Sequence, residues 1–416
     1  MVELWGVADT GTILIRGARQ LLTLRGARGP RRGAELGELG IIPDGGLLIR
    51  DGVLLEVGPT RRLENLADAR GAVEINAAGK VVMPGLVDSH THLVFPPPGG
   101  TGLAEEGAAA RLHSSTGQRL EGRIRSFLEA MARHGTTTVE AKTGCGLDES
   151  AELKVLRVLS AFAEDPLQVI PTFLLRIPEE NGTRMLEWAL GDLLPKIRRR
   201  NLAQFADLAW SDDPQQHAGF IKYLQAARNM GFRCKIHADG DTPAAVAMAL
   251  DHMVVSIDHL ERARAAEVAL LAGACTVVTL LPVPAWRAGC IFPPARELVE
   301  SGAAVALASN FNAHHTPTLS MQTVIALACL EMGLTPEQAI SAATINGAHA
   351  LGCAARIGSL EPGKAADAII LETSDYRELA SRFGVNLVQL TIKSGRIIYK
   401  QGEVGPRAAV DLHPNW

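Results

Sequence analysis

The sequence predicts an α/β protein: a (β/α)8 TIM-type barrel carrying a small β-sandwich assembled from both chain ends. Residues 120 to 355 alternate helical and strand-like segments about seven times, the pattern of a parallel β/α array. The first 80 and last 60 residues read instead as short β runs broken by turn signals. Polar residues with ligand chemistry fall at the ends of the central strands, where a barrel presents its active site.

In chain order, TILIRGARQLLTL, PDGGLLIRDGVLLEVG and GAVEINAAGKVVMPG form the first β-rich segment, with Asp44-Gly45 and Asp51-Gly52 as hairpin turns. IGSLEPGKAADAIILE and VQLTIKSGRIIYKQG repeat the pattern at the other end. The two segments pack together as one discontinuous domain, 1–78 with 357–416, around a barrel spanning 79–356. Within the barrel, RLEGRIRSFLEAMARHG is helical and yields to TTTVEAKTG, and ESAELKVLRVLSAFAED yields to LQVIPTFLL. HAGFIKYLQAARNMG precedes FRCKIHADG, TPAAVAMALDHM precedes VVSIDHLE, RAAEVALLAGA precedes CTVVTLLPV, and PARELVESGA precedes AVALASNFN. A doubly wound open sheet would also gather ligands at strand ends, but no G-x-G-x-x-G opens a helix, so the barrel is preferred.

Composition narrows the function classes. At 416 residues, 47% hydrophobic and 21% charged, the chain fits one large domain plus a smaller one. A formal net charge of −4 and no basic run beyond RRR at 198–200 argue against nucleic-acid binding. The apolar runs are short or broken by Gly and Pro, and MVELWGVADTGTILIRG lacks a charged region followed by an apolar one. The expectation is therefore a cytoplasmic protein with neither signal peptide nor transmembrane span. Six scattered cysteines without C-x-x-C spacing read as reduced thiols.

The stretch VVMPGLVDSHTHLVFP carries the chemistry. If its apolar run is a buried strand, His90 and His92 leave the strand end on one side, because residues i and i+2 share a face. Two convergent imidazoles are two ligands of an incomplete metal site, although a bare H-x-H also suits a surface turn. His237 in KIHADG and His259 in SIDHLE follow later strands and bring four histidines to one mouth. A metal with an open coordination position would acidify water there. His259 could then act as an electrophile or orienting donor rather than a ligand.

The motifs PGLVDSHTHLVF, HGTTTVEAKTGCGLDESAELKVLRVL, KIHAD, DHLE, TLLP, AVALASNFN and GSLEPGKAAD together resemble the amidohydrolase superfamily. Within it they most resemble the imidazolonepropionase family, over about residues 10 to 400. The H-x-H after P-G-x-x-D and the stretch from Gly358 to Asp367 are superfamily-wide, whereas Thr136 to Lys154 is much narrower. The resemblance implies a barrel with a terminal β-sandwich, one zinc or iron ion, a dimer, and hydrolysis of an imidazolone C–N bond to N-formimidoyl-glutamate. It places His90, His92 and His237 on the metal, His259 in the active site and Asn312 against the substrate.

The departures are specific. Where the family has a metal-site aspartate that also relays protons, this chain has Asn310, whose amide oxygen can coordinate only weakly and cannot take a proton. Where the family has a general acid/base glutamate, this chain has Gly240, flanked by Asp239 and Asp241 as candidate proton carriers. The family tyrosine is Cys145, its arginine after the H-x-H has no counterpart, and its histidine after T-F-L is absent with Arg176 nearby. The asparagine-proline-glycine run has become Asn312-Ala313-His314, followed by His315. Three readings follow: an imidazolonepropionase-type hydrolase, a hydrolase of another cyclic amide or amidine whose pocket is rebuilt around Cys145, Arg176, His314 and His315, or a barrel that binds a metal or ligand without turnover.

Overall fold

The structure is a computed structural model that describes residues 11–95, 106–144, 148–177, 182–238, 240 and 243–403. Eight parallel strands form one sheet in sequence order. They are β1 (Leu86–Asp88), β2 (Thr136–Lys142), β3 (Gln168–Leu175), β4 (Phe205–Ala209), β5 (Arg233–Ala238), β6 (Ser256–His259), β7 (Val277–Leu280) and β8 (Ala304–Leu307). Their residues are buried almost throughout, as expected for strands covered on both faces.

The helices between them follow from periodicity. Gly117–Arg133 buries Leu120, Ile124, Leu128 and Met131 at spacings of four, four and three, a single stripe against the sheet. Each such side chain contributes about 1.5–3 kcal/mol on burial. Its start is fixed by Thr116, whose hydroxyl accepts the Arg119 N–H. The strand β4 escapes sequence reading: FADLA is five residues long and carries Asp207 at its centre, so neither an apolar run nor a clean alternation marks it.

The seam between β8 and β1 closes at the C-terminal end of the barrel. Asn310 N–H donates to the His90 carbonyl (3.1 Å) and His92 N–H to the Phe311 carbonyl (2.7 Å). Below them Asp88 clamps Ser309, accepting from its backbone N–H (3.0 Å) and hydroxyl (2.5 Å). The seam therefore carries position 310 to the side of the H-x-H.

The terminal segments form two further sheets, one of four strands and one of six, the latter joining strands from both chain ends. The apolar run before the H-x-H is split between these layers: Val81–Pro84 pairs with Ala368–Leu371 in the six-stranded sheet, and only Leu86–Asp88 enters the barrel. Gly85 sits at the hand-over, where a Cβ would lie 2.3 Å from the Thr137 side chain. Asp51-Gly52 makes the expected two-residue hairpin, with positive φ at both residues. Asp44 instead ends a turn that passes from one terminal sheet to the other, since Ile41–Ile42 pairs with Gln20–Leu22 while Gly45–Arg50 pairs with Thr12–Ala18.

Candidate active site

The four histidines converge. The ring centroids lie 5.2 Å apart for His90 and His92, 5.0 Å for His90 and His237, and 4.3 Å for His237 and His259. One nitrogen from each of His90, His92 and His237 falls within 4.8 Å of the others. His90 Nε2 faces His92 Nε2 at 3.3 Å. Two nitrogens bound about 2.0–2.1 Å from one tetrahedral ion lie roughly 3.4 Å apart, so this pair already has the spacing of shared ligands.

Protonation favours the same reading. Burial, reinforced by the Lys142 charge for His90 and by His237 and Arg176 for His92, holds both imidazoles well below the usual histidine range, so they are neutral. His90 Nδ1–H donates to Asp258 Oδ2 at 2.8 Å, which fixes the tautomer with the Nε2 lone pair aimed at the site. Asn310 Oδ1 is buried with no hydrogen-bond partner among the described residues. Three converging imidazoles, two of them held neutral by burial, together with an orphaned amide oxygen after β8 fit a divalent ion.

Beneath the histidines lies a floor of paired charges: Glu140, Lys142 and Asp258 read from the sequence as polar strand ends, but their pairing with each other and with Asp207 and Lys235 did not. Lys142 Nζ reaches Asp207 (2.5 Å), Asp258 (2.9 Å) and Glu140 (3.2 Å), and Lys235 Nζ reaches Glu140 (2.7 Å) and Asp258 (3.6 Å). Thr172 donates to Glu140 (2.6 Å) and Ser256 to Asp258 (2.8 Å). All five charged side chains are fully buried. Burial alone would raise the Asp258 carboxyl, but Lys142, Lys235 and His90 hold it well below the usual carboxylate range. Burial would lower Lys142, yet Asp207, Asp258 and Glu140 together raise it well above the ordinary lysine value. His90, Glu140 and Asp258 also approach closely enough to bind an ion, but ammonium groups already occupy that role.

The mouth differs. His259 and Leu260 adopt φ of 85° and 65°, left-handed conformations that only surrounding structure can enforce on such residues. His259 Nδ1 lies 3.0 Å from Glu261 Oε1, so its Nε2 side turns toward the other histidines. Asn310 is likewise left-handed, with φ of 52°. Asn312 Oδ1 accepts the N–H groups of His314 (2.9 Å) and His315 (3.3 Å), so this oxygen shapes the loop after β8. His314 is buried with its ring 4.3 Å from that of His315, while Arg176, just after β3, is exposed. Cys145, Asp239 and Asp241 lie outside the described residues.

The amidohydrolase family matches residues 81–398. The chain is 39% identical to an imidazolonepropionase of Solibacter usitatus over 92% of this chain and 97% of that protein. It is 37% identical to an imidazolonepropionase of Parabacteroides distasonis, over 94% and 99%. Among solved structures, a triazine hydrolase variant superposes with a TM-score of 0.73 at 17% identity, over 94% of this chain and 95% of that one. A zinc-bound adenosine deaminase from Xanthomonas campestris gives 0.68 at 19% identity, covering 94% of each. These structural likenesses bear on the fold alone.

Proposed function

We propose a function from one premise: the chain belongs to the amidohydrolase family and, within it, to the imidazolonepropionases. It is a metal-dependent hydrolase of C–N bonds in cyclic amides. The substrate we assign is 4-imidazolone-5-propanoate, opened by water to N-formimidoyl-L-glutamate in histidine degradation. The observation that carries this is the buried trio of convergent imidazoles at the barrel mouth, in a chain 35–39% identical to imidazolonepropionases along nearly its full length.

His90, His92 and His237 would hold the ion, zinc or iron, with the Asn310 oxygen beside them. A divalent ion there polarises a carbonyl and lowers the pKa of water toward neutrality. The chain's own residues do the rest. Asp258 orients His90 and keeps its second nitrogen available. Glu261 orients His259 and offsets the charge that ring would gain on protonation, so that Nε2–H can stabilise a developing oxyanion. Arg176 supplies a positive charge at the mouth, suited to the propanoate carboxylate. Free thiols at all five described cysteines are in keeping with a reducing cytoplasm as the compartment. No described helix is long and apolar enough to cross a membrane.

The test is hydrolysis of the imidazolone by purified protein, with metal content per chain measured alongside. Turnover abolished by a chelator, and about one ion per chain lost in His237→Ala, is the expected result. Ring opening that survives complete removal of metal would overturn the reading.

A further inference from the structure

Gly240 stands where the resemblance implies an acid/base glutamate, and its surroundings show what takes that room. Its φ is not left-handed, so conformation does not demand glycine, and the space a side chain would enter is taken only by the end of a carboxylate. A Cβ at residue 240 would lie 2.9 Å from Asp212 Oδ2 and 3.5 Å from Asp212 Cγ and Oδ1. The Asp212 carboxyl therefore fills the room that a side chain at 240 would enter.

Asp212 reaches that point from the neighbouring strand. Ala209, the last residue of β4, pairs with His237 of β5, and Trp210 N–H donates to the His237 carbonyl at 2.8 Å. Trp210 is buried against the His217 and Phe220 rings, and its Nε1–H donates to Asp212 Oδ1 at 3.0 Å. One carboxylate oxygen is thus anchored by a fixed indole, and the other stands over Gly240, three residues beyond a metal histidine.

We propose that Asp212 is the catalytic carboxylate of this site, supplied from β4 in place of residue 240. It accepts a proton from the attacking water as the new C–O bond forms. It returns that proton to the ring nitrogen as the C–N bond breaks, so the net change is addition of water across that bond. This inference rests on the cyclic-amide reading above. Position 212 and position 240 are then one functional unit, and changes at the two should not add.

The experiment compares wild type, Asp212→Asn, Gly240→Ala and the double variant in imidazolone hydrolysis, with metal content and melting temperature as controls. General acid/base catalysis contributes about 10²–10⁴-fold, so Asp212→Asn should lower kcat by at least about 10²-fold with KM little changed. Gly240→Ala should displace the flexible carboxyl, lower kcat, and have no added effect in the Asp212→Asn background. Affinity for imidazole-4-propanoate, which has the ring without a hydrolysable carbonyl, reads ground-state binding without turnover and should stay near wild type in Asp212→Asn, as KM does. Near-normal kcat in Asp212→Asn, or loss only in Asp239→Asn or Asp241→Asn, would overturn the assignment of Asp212 while leaving the reaction intact. A wild-type protein that fails to open the ring would overturn the reaction and the assignment together.

Discussion

The floor of the barrel and its mouth solve the same problem in opposite ways. In the floor, two lysines and three carboxylates are fully buried, and each has a counter-charge within 3.2 Å. At the mouth, Asn310 Oδ1 is buried without a partner among the described residues, and His259, Leu260 and Asn310 hold left-handed backbones. Satisfied charges make a rigid base. An unsatisfied acceptor and strained backbones clustered beside convergent histidines mark a place left open for a ligand. Asn310 and Gly240, the two positions read from the sequence as departures, follow β8 and β5 at the mouth, whereas the floor below them is fully paired.

The largest expected effect comes from breaking the floor. Lys142→Met removes the cation that faces Asp207 and Asp258 and leaves buried carboxylates uncompensated. Removing one partner of a buried pair costs about 3–5 kcal/mol. Denaturant unfolding should show a loss of that order, with metal content falling as His90 loses its support. An unchanged midpoint would mean that water or a neighbouring group compensates the pair, and the contrast between floor and mouth would fail.

Glu152 tests whether pairing is what makes buried charge tolerable. It sits in the helix Glu149–Ala161 beneath the Thr143–Gly144 turn, fully buried, with no cation among the influences that set its pKa. Burial pushes its carboxyl up to about 8, only partly offset by hydrogen bonds from Thr143 and the Gly144 backbone. A raised acid binds its proton more tightly in the folded chain. Folding is therefore favoured as pH falls from about 8 toward 4.5, and the penalty of ionisation is complete above about 8. Glu152→Gln removes that penalty. Its stability relative to wild type should rise across this window by a few kcal/mol, with roughly 5 kcal/mol as a ceiling, and stay flat below it. Unfolding midpoints at pH 5 and pH 8.5 decide it; parallel curves would show that Glu152 ionises without cost.

What could be read beforehand follows the same division. The barrel was legible because β/α alternation is local, and the H-x-H because alternate residues share a face. Gly240 and Asn310 stand out in the sequence because each sits inside a motif. The floor was not legible: Asp258 beside His90 joins residues 168 apart, and Lys142 with Asp207 spans 65. Nothing in KTG or FADLA announces a partner. Glu152 lies in the acidic first turn of its helix, and only tertiary packing buries it. Asp212 could not be read from position 240, because the replacement comes from another strand.

A gentler change separates positioning from charge. Asp258→Asn keeps an oxygen for His90 Nδ1–H but removes the negative charge that strengthens His90 as a donor. Loss of such an outer partner typically costs 10–100-fold in metal affinity. Chelator competition should show a loss in that range, accompanied by some destabilisation, since Lys142 and Lys235 both lose a counter-ion. Unaltered affinity would confine Asp258 to folding.

The smallest effect is expected from repairing the mouth. Asn310 N–H is tied to the His90 carbonyl, so the position of this side chain is set by backbone, and Asn310→Asp should place a carboxylate where the orphaned amide oxygen now lies. A charged contact is worth roughly 1 kcal/mol more than a neutral one, which converts to less than about tenfold in affinity. Slower metal loss to a chelator in Asn310→Asp would show that this oxygen faces the ion and that the wild-type chain forgoes part of its affinity. Equal or faster loss would mean the three histidines already complete the set. The seam would then hold residue 310 for closure of the barrel, and the asparagine would cost the site nothing.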